Sequence, residues 1–164
     1  MAEPGAAGGL LVMADLDHFK AINDQHGHDT GDRALRLFAD ALRAVARNDD
    51  LMVRWGGEEF VWVCRNTDAA KGPQLCERLL RQLRDNPLDV DGKPLAVTAS
   101  LGFVPLPVWP GTAPDWDAAL RIADYAVYCS KDAGRDAWTG FVGEGGPGEA
   151  GTAPAALEQQ GERA

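Results

Sequence analysis

Residues 51–64 carry the pattern that most constrains how this chain can fold. Two largely apolar segments, 51–55 and 60–64, flank the tetrapeptide Gly56-Gly57-Glu58-Glu59. An apolar segment, a glycine-containing turn and a second apolar segment predict a β-hairpin, with positive φ angles at the glycines. This hairpin would carry two neighbouring carboxylates at its tip.

The other predicted elements are strands and helices that alternate along the chain. Apolar side chains at helical spacing predict three amphipathic helices, and the last has Gly134 in the position of a C-terminal cap. A polar loop with Asn23, Gly27 and Gly31 follows the first strand. The order of elements predicts an α+β domain with helices on one or both faces of a sheet. The predicted order is β-α-β-β-α-β-α-β. The further predicted strands are 10–14, 95–104 and one after the last helix, and the predicted helices are 32–46, 75–83 and 117–133.

Length and charge restrict the class of protein. The 164 residues are enough for one domain with a buried core, but not for two. The net charge of −9 disfavours a nucleic acid partner, because that binding needs a basic face to neutralise phosphates. No apolar run approaches the roughly 20 residues of a membrane-spanning helix, and the first residues lack a secretory signal. We therefore expect a cytoplasmic domain without membrane contact, with Cys64, Cys76 and Cys129 as core residues.

Composition also predicts the domain boundaries. Residues 1–9 are expected to be flexible, and 10–142 to form the domain. Residues 143–164 are rich in Gly, Ala, Glu and Pro, so their apolar content is too low to offset the entropy of ordering. A disordered tail is therefore predicted there.

Two sets of carboxylates indicate a candidate metal-binding site. Asp15 and Asp17 follow the first strand, and Glu58 and Glu59 stand at the hairpin tip. If the first strand lies beside the hairpin, these acids meet in one cleft. Magnesium is usually held by one or two protein carboxylates together with water and substrate phosphates, so such a cleft fits phosphoryl transfer. The candidate phosphate-binding cations are Lys20, Lys131 and Arg135.

Several segments, in this order, resemble the signature of GGDEF domains, the catalytic domains of diguanylate cyclases. The similarity extends over about 10–142 and has the Gly-Gly-Glu-Glu-Phe form of the central motif. It is specific, because several independent motifs recur in the right order and spacing. It implies a mostly antiparallel, five-stranded central sheet flanked by helices, like the palm-like (ferredoxin-like) fold of nucleotidyl cyclases. The matching segments are 15–24, 27–29, 31–32, 54–60 and 131–135.

The resemblance implies a metal and catalytic site. Asp15 and Glu59 would bind Mg²⁺, with Mn²⁺ as the alternative, together with the backbone carbonyl of Leu16. Glu58 would be a further metal ligand or the group that helps to deprotonate the attacking 3′-hydroxyl. Both assignments of Glu58 remain open.

The resemblance also implies a nucleotide site. Lys20, Lys131 and Arg135 would contact the β- and γ-phosphates. Asn23 and Asp32 would recognise guanine, since a carboxylate accepts hydrogen bonds from N1–H and the exocyclic amine together. At the turn, Gly56 and Gly57 would let the backbone approach the nucleotide.

The reaction implied by the resemblance condenses two GTP into cyclic di-GMP with release of two pyrophosphates, in bacterial signalling. Its two-fold symmetric product implies a homodimer. A fused sensory or dimerising domain is expected in the full-length protein, with a membrane anchor as a further option upstream. The family's leading Asp-x-Leu-Thr-Gly-Leu-x-Asn-Arg motif has no counterpart here, so an N-terminally truncated domain is expected.

A second site is implied by Arg47-Asn48-Asp49-Asp50, which matches the family's Arg-x-x-Asp inhibitory motif. Arg78 matches a position that contributes a second arginine, and the ligand would be cyclic di-GMP as a feedback inhibitor. About one strand, roughly 20 Å, separates Asp50 from Gly56, so this site is distinct from the cleft.

Simpler interpretations stand beside these. Asp32 also suits a helix start, and Lys131 and Arg135 suit a helix C-terminus. Arg47 and Asp50 also suit an exposed helix end. The alternative function is a non-catalytic module that binds GTP or cyclic di-GMP, but an intact motif set favours the enzyme.

Overall fold

An apolar strand, β1 (Gly9–Leu16), forms the centre of the sheet in this computed structural model, which describes residues 8–109, 111–141 and 157–159. It pairs antiparallel with β3 (Glu59–Cys64) on one side and with β6 (Ala99–Leu106) on the other. Seven of its eight residues are buried, because strands flank it on both sides and its side chains pack into a hydrophobic cluster on each face of the sheet.

The remaining strands extend the sheet outward from this centre. β2 (Leu51–Arg54) pairs antiparallel with β3, which forms the predicted hairpin, and β7 (Ala137–Phe141) pairs parallel with β6. A short strand, β8 (Leu157–Gln159), pairs antiparallel with β7. The strand order is β2-β3-β1-β6-β7-β8. The predicted mostly antiparallel, five-stranded central sheet is confirmed, with β8 added at its edge.

The pairing of β8 differs from the disordered tail predicted for 143–164. An open strand edge offers unpaired backbone groups, which can bind a chain segment of any composition, so residue content could not predict this contact. The rest of the predicted tail, and residues 1–7 of the predicted flexible start, lie outside the described residues. Gly9, also predicted to be flexible, belongs to β1.

Helices cover both faces of the sheet. On one face, α1 (Phe19–His26), α2 (His28–Val45) and α3 (Gly72–Asp85) pack against alternate β1 side chains such as Leu10 and Val12. On the other face, α4 (Trp116–Asp132) packs against the intervening side chains, such as Leu11 and Met13. By the period of two residues, Asp15 belongs to the α4 face.

The segment after β1 was predicted as a polar loop, and this was wrong. It forms α1 and the first turn of α2, which are separated by Gly27 at a φ of 88°. α1 buries only Ile22, so its apolar pattern is too short to indicate a helix. Asn23 and Gly31, predicted in a loop, are therefore helical.

The strand predicted over 95–104 is divided in two. β4 (Leu88–Val90) and β5 (Lys93–Leu95) form a separate hairpin around Asp91 and Gly92, both with positive φ. The chain has to leave this small sheet before β6 joins β1. No helix in the described residues is long and apolar enough to cross a membrane.

Candidate active site

Asp15 and Glu59 are directly opposed residues in the register of β1 and β3. Directly opposed residues project from the same face of a sheet, with Cβ atoms roughly 5 Å apart. The first strand thus lies beside the hairpin, as the cleft hypothesis requires. The two carboxylates stand at the end of the sheet, on the face covered by α4.

Lys131, near the end of α4, contacts this pair. Its Nζ donates to Asp15 Oδ2 at 2.6 Å, and the Asp15 side chain is only 10% exposed. A carboxylate in such a position needs a cationic partner, since an unpaired buried charge is strongly disfavoured. Asp15 therefore has a compensating charge.

Glu59 is less well compensated. The pKa of its carboxyl is raised by partial burial first, and then by the negative charges of Asp15, Asp124 and Glu58, while Lys131 acts in the opposite direction. The cleft thus has more negative than positive charge. Asp124, on α4, was not singled out from the sequence, because its approach to Glu59 depends on how α4 docks.

This charge balance and donor set fit a hard divalent cation. Carboxylate oxygens are the ligands that Mg²⁺ and Mn²⁺ prefer, and added positive charge would relieve the repulsion around Glu59. Within the described residues, no group of three or more His, Cys, Asp or Glu side chains is already arranged to hold a metal. Mg²⁺ does not need one, because it keeps waters and takes ligands from substrate phosphates.

The hairpin tip is shaped by contacts that the sequence pattern did not indicate. Gly56 and Gly57 do not have the predicted positive φ angles. Instead, the Arg54 guanidinium donates to the carbonyl oxygens of both glycines, at 2.7 Å for the shortest bond, to Gly57. A Cβ atom at Gly56 would lie 3.0 Å from Glu59 Oε2, whereas one at Gly57 would meet nothing within 4 Å. Gly56 thus leaves room for the Glu59 carboxylate.

Asp17 has a different environment from Asp15, although the two were grouped by sequence. Its carboxylate is buried and accepts hydrogen bonds from Thr98 Oγ1, Ser100 Oγ and the backbone N–H of Asp136, at 2.7 to 2.9 Å. These bonds join the end of β1 to β6 and to the turn after α4. No sequence signal pointed to them, because the partners lie more than 80 residues away.

The predicted phosphate-binding cations come from two elements. Lys131 and Arg135 flank Gly134, whose φ of 112° ends α4 as predicted. The N–H groups of Gly134 and Arg135 donate to the carbonyls of Lys131 and Ser130, which is the Schellman pattern. Lys20 is exposed on the first turn of α1, and Arg135 is also exposed. Of the three, only Lys131 has a contact to the carboxylate pair.

The predicted guanine-binding residues lie where α1 meets α2. Asn23 is half-buried, and a Cβ atom at Gly31 would overlap its amide oxygen. The missing side chain of Gly31 therefore makes the space that Asn23 occupies. Asp32 follows in α2 and is exposed.

The residues of the predicted inhibitory site lie together at the other end of β2. Arg47, Asp50 and Arg78 line one pocket of about 240 Å³, and Lys71 contributes a third cation. β2 separates this pocket from the hairpin tip. The two candidate sites are therefore distinct.

Arg47 and Asp50 also have structural contacts within this pocket. The Arg47 guanidinium donates to Arg65 O and Thr67 Oγ1, both at 2.6 Å. Asp50 Oδ2 accepts from Arg47 N and from Trp62 Nε1, at 2.9 and 3.0 Å. These bonds close the loop before β2. The Asp50 side chain is only 2% exposed, so the simpler interpretation of an exposed helix end does not hold for Asp50.

Fold and site together define an α+β domain with an acidic cleft that can accept a cation at the end of its central strands. The sequence matches the family described as "Diguanylate cyclase, GGDEF domain" over residues 5–137. The chain therefore belongs to the GGDEF domain family.

Three similar proteins illustrate this family. Diguanylate cyclase DgcP of Pseudomonas aeruginosa is 41% identical over 77% of this chain, and cyclic di-GMP phosphodiesterase NbdA of the same organism is 36% identical over 78%. The chain spans only 18% and 16% of the length of these relatives. The crystal structure of the GGDEF domain of DgcB from Caulobacter crescentus in complex with c-di-GMP superposes with a TM-score of 0.72, at 32% identity. That match covers 82% of this chain and 78% of the other.

Proposed function

We propose that this chain is a diguanylate cyclase domain that condenses two GTP into cyclic di-GMP and two pyrophosphates. The observation that carries the proposal is the opposed pair of Asp15 and Glu59, with Lys131 on one carboxylate and uncompensated negative charge on the other. The name of the relative DgcP supports the same activity.

In the proposed reaction, each 3′-hydroxyl attacks the α-phosphorus of the other GTP. A P–O bond forms at that phosphorus, the bond to the β-phosphate breaks, and pyrophosphate leaves. Asp15, Glu59 and the Leu16 carbonyl would hold Mg²⁺ or Mn²⁺, which when bound neutralises phosphate charge. The proton of the attacking hydroxyl passes to Glu58, or to solvent if Glu58 is instead a further metal ligand.

The remaining residues position the nucleotide. Lys20, Lys131 and Arg135 bind the β- and γ-phosphates, and Lys131 exchanges part of its contact with Asp15 for phosphate. The side chains of Asn23 and Asp32 hold guanine, and the Gly56-Gly57 backbone lies against the nucleotide. Each domain holds one GTP, so the active form is a two-fold homodimer.

A turnover experiment tests the proposal. The chain is fused to a constitutive dimerising segment, and cyclic di-GMP formation from GTP is measured with Mg²⁺. We expect turnover in the fusion, and loss by about 100-fold or more in Glu59→Gln, as for removal of a group that stabilises the transition state. Glu77→Gln is the matched control, since Glu77 lies on α3 and accepts from Trp138. Tight GTP or cyclic di-GMP binding without turnover would instead identify a binding module.

We further propose that the Arg47–Asp50 pocket binds cyclic di-GMP and inhibits the enzyme. Its three cations suit a ligand with two phosphates, and the DgcB structure contains c-di-GMP. Arg78→Ala should weaken inhibition by added cyclic di-GMP. Arg81→Ala, an exposed arginine on the same helix that does not line the pocket, is the control. Equal inhibition of both variants would contradict the assignment.

A further inference from the structure

Asp17 is a carboxylate near the cleft with three hydrogen-bond donors, and the proposed reaction gives it no role. Its two oxygens accept from Ser100 Oγ at 2.7 Å, Thr98 Oγ1 at 2.8 Å and Asp136 N at 2.9 Å. The residue is only 4% exposed. A carboxylate so buried is stable only while its donors stay in place.

One of these donors belongs to a strained segment. Gly134, Arg135 and Asp136 have consecutive φ angles of 112°, 66° and 44°. The left-handed region is unfavourable for residues other than glycine, and such a conformation persists only where the surroundings hold it. Arg135, a proposed phosphate-binding residue, is at the centre of this segment.

The two ends of the segment are held differently. The cap of α4 fixes the N–H groups of Gly134 and Arg135. Beyond the cap, Asp17 accepts the N–H of Asp136, and Arg84 contacts the Asp136 carboxylate and carbonyl at 3.3 to 3.4 Å. Both contacts involve charged groups, but the Asp17 bond is the shorter and holds the backbone N–H itself, so of these two it constrains the backbone more directly.

The end of β1 thus contacts Lys131 and the residue that follows Arg135, both on this side of the cleft. Asp15 binds the Lys131 ammonium, and Asp17, two residues further on, binds the backbone next to Arg135. Both contacts tie the end of α4 and its following turn to the strand that carries the proposed metal ligand.

We propose that Asp17 is a positioning residue for the nucleotide triphosphate, which acts by holding the backbone of Arg135 in its left-handed conformation. This rests on the proposed function, because it assumes that Arg135 binds the β- and γ-phosphates. Asp17 itself touches no substrate. Its removal should therefore weaken binding of a triphosphate but not of a monophosphate.

Binding of 3′-deoxy-GTP and 3′-deoxy-GMP to the whole chain, measured by calorimetry with Mg²⁺, tests this. Neither ligand can react, since both lack the attacking hydroxyl. We expect Asp17→Ala to lower triphosphate affinity by about tenfold, the typical effect of a residue that orients a ligand-binding group, with monophosphate affinity changed less than about twofold. Arg135→Ala should show the same selectivity, and the double variant no further loss.

Thr98→Val is the matched structural control. It removes one hydrogen bond of Asp17 on the β6 side but keeps the bond to Asp136, so it should lower the melting temperature without changing the ratio of the two affinities. If Asp17→Ala does not fold, Asp17→Asn replaces it. Its neutral amide accepts weaker hydrogen bonds, so exchange of the Asp136 amide hydrogen should accelerate and the affinity ratio should fall by about two- to fivefold.

The outcomes separate the two proposals. If the unmodified chain does not prefer the triphosphate, the proposed phosphate site is wrong. If Arg135→Ala keeps that preference, the assignment of Arg135 to the phosphates is wrong, together with the positioning role that rests on it. If Arg135→Ala loses the preference while the Asp17 variant keeps it, or loses affinity for both ligands equally, the positioning role is wrong and the proposed function stands.

Discussion

At the scale of single residues, the charge on Glu59 opposes folding of the metal-free chain. Its pKa is raised, so the ionised form is less stable in the folded protein than in the unfolded chain. Below the unfolded pKa of about 4.5 both states are protonated and nothing is lost. As pH rises through the higher folded pKa, the ionised carboxylate lowers the free energy of unfolding.

Glu59→Gln should therefore raise the melting temperature at pH 7 without metal, and the gain should shrink towards about pH 4. Glu59 is half-buried, so solvent screens part of its charge and the gain should be small. Thermal unfolding against pH measures it, and added Mg²⁺ should stabilise the unmodified chain more than the variant. In Glu77→Gln, which has Arg84 at 3.8 Å, no such gain is expected. A lower melting temperature of Glu59→Gln at pH 7 would contradict the charge argument.

Gly31 is a second position where a single substitution should change the stability of the protein. Gly31→Ala would force a methyl group into the Asn23 amide, so we expect about 1–3 kcal/mol of destabilisation and weaker GTP binding. Gly57→Ala, with open space around it, should change stability by less than about 0.5 kcal/mol. Urea unfolding compares the two, and equal effects would show that Asn23 moves aside freely.

At the scale of elements, the Arg54 side chain stabilises the hairpin tip through hydrogen bonds to the glycine carbonyls. Arg54→Met removes three hydrogen bonds to the Gly56 and Gly57 carbonyls but keeps the aliphatic stem. Because the site is exposed, we expect a loss of only about 1 kcal/mol in stability but a clear loss of Mg²⁺-dependent GTP binding. Arg81→Met on α3 is the control. An unchanged GTP affinity of Arg54→Met would mean that strand pairing alone shapes the tip.

Much of the fold could be predicted from local patterns, and the failures have physical causes. The hairpin, α4 and its glycine cap followed from apolar spacing and turn residues, because these signals are local. α1 was missed because it buries only Ile22. β8 was missed because its pairing uses backbone groups of β7.

Some features of the candidate site could also be predicted from local sequence, and others could not. The proximity of Asp15 and Glu59 followed from the assumption that two strands are neighbours, which the register bears out. The contacts of Asp17, Arg54 and Asp124 depend on how distant elements pack, and no local spacing encodes that. Sequence thus indicated the carboxylate pair, while the groups that orient or perturb it required the fold.

At the scale of the whole molecule, the net charge of −9 opposes association of two copies. Salt screens this repulsion over a Debye length that falls from about 30 Å at 0.01 M to about 8 Å at 0.15 M. If the active form is a dimer, activity of the unfused chain at fixed Mg²⁺ should rise severalfold over that range. In the constitutively dimeric fusion, where only nucleotide binding responds to salt, no such rise is expected. A parallel fall of both activities would contradict the dependence on association.

The proposed cation site depends on the pairing register of β1 and β3. A slip of one residue would turn Glu59 to the opposite face and place the apolar Phe60 or the tip residue Glu58 beside Asp15. Divalent cation affinity recovered during refolding would then separate the native alignment from the slip that places Phe60 beside Asp15, whereas the slip that places Glu58 there keeps a carboxylate pair. Asp15 and Glu59, which are proposed to hold the metal, would thus also provide a probe of strand register during refolding.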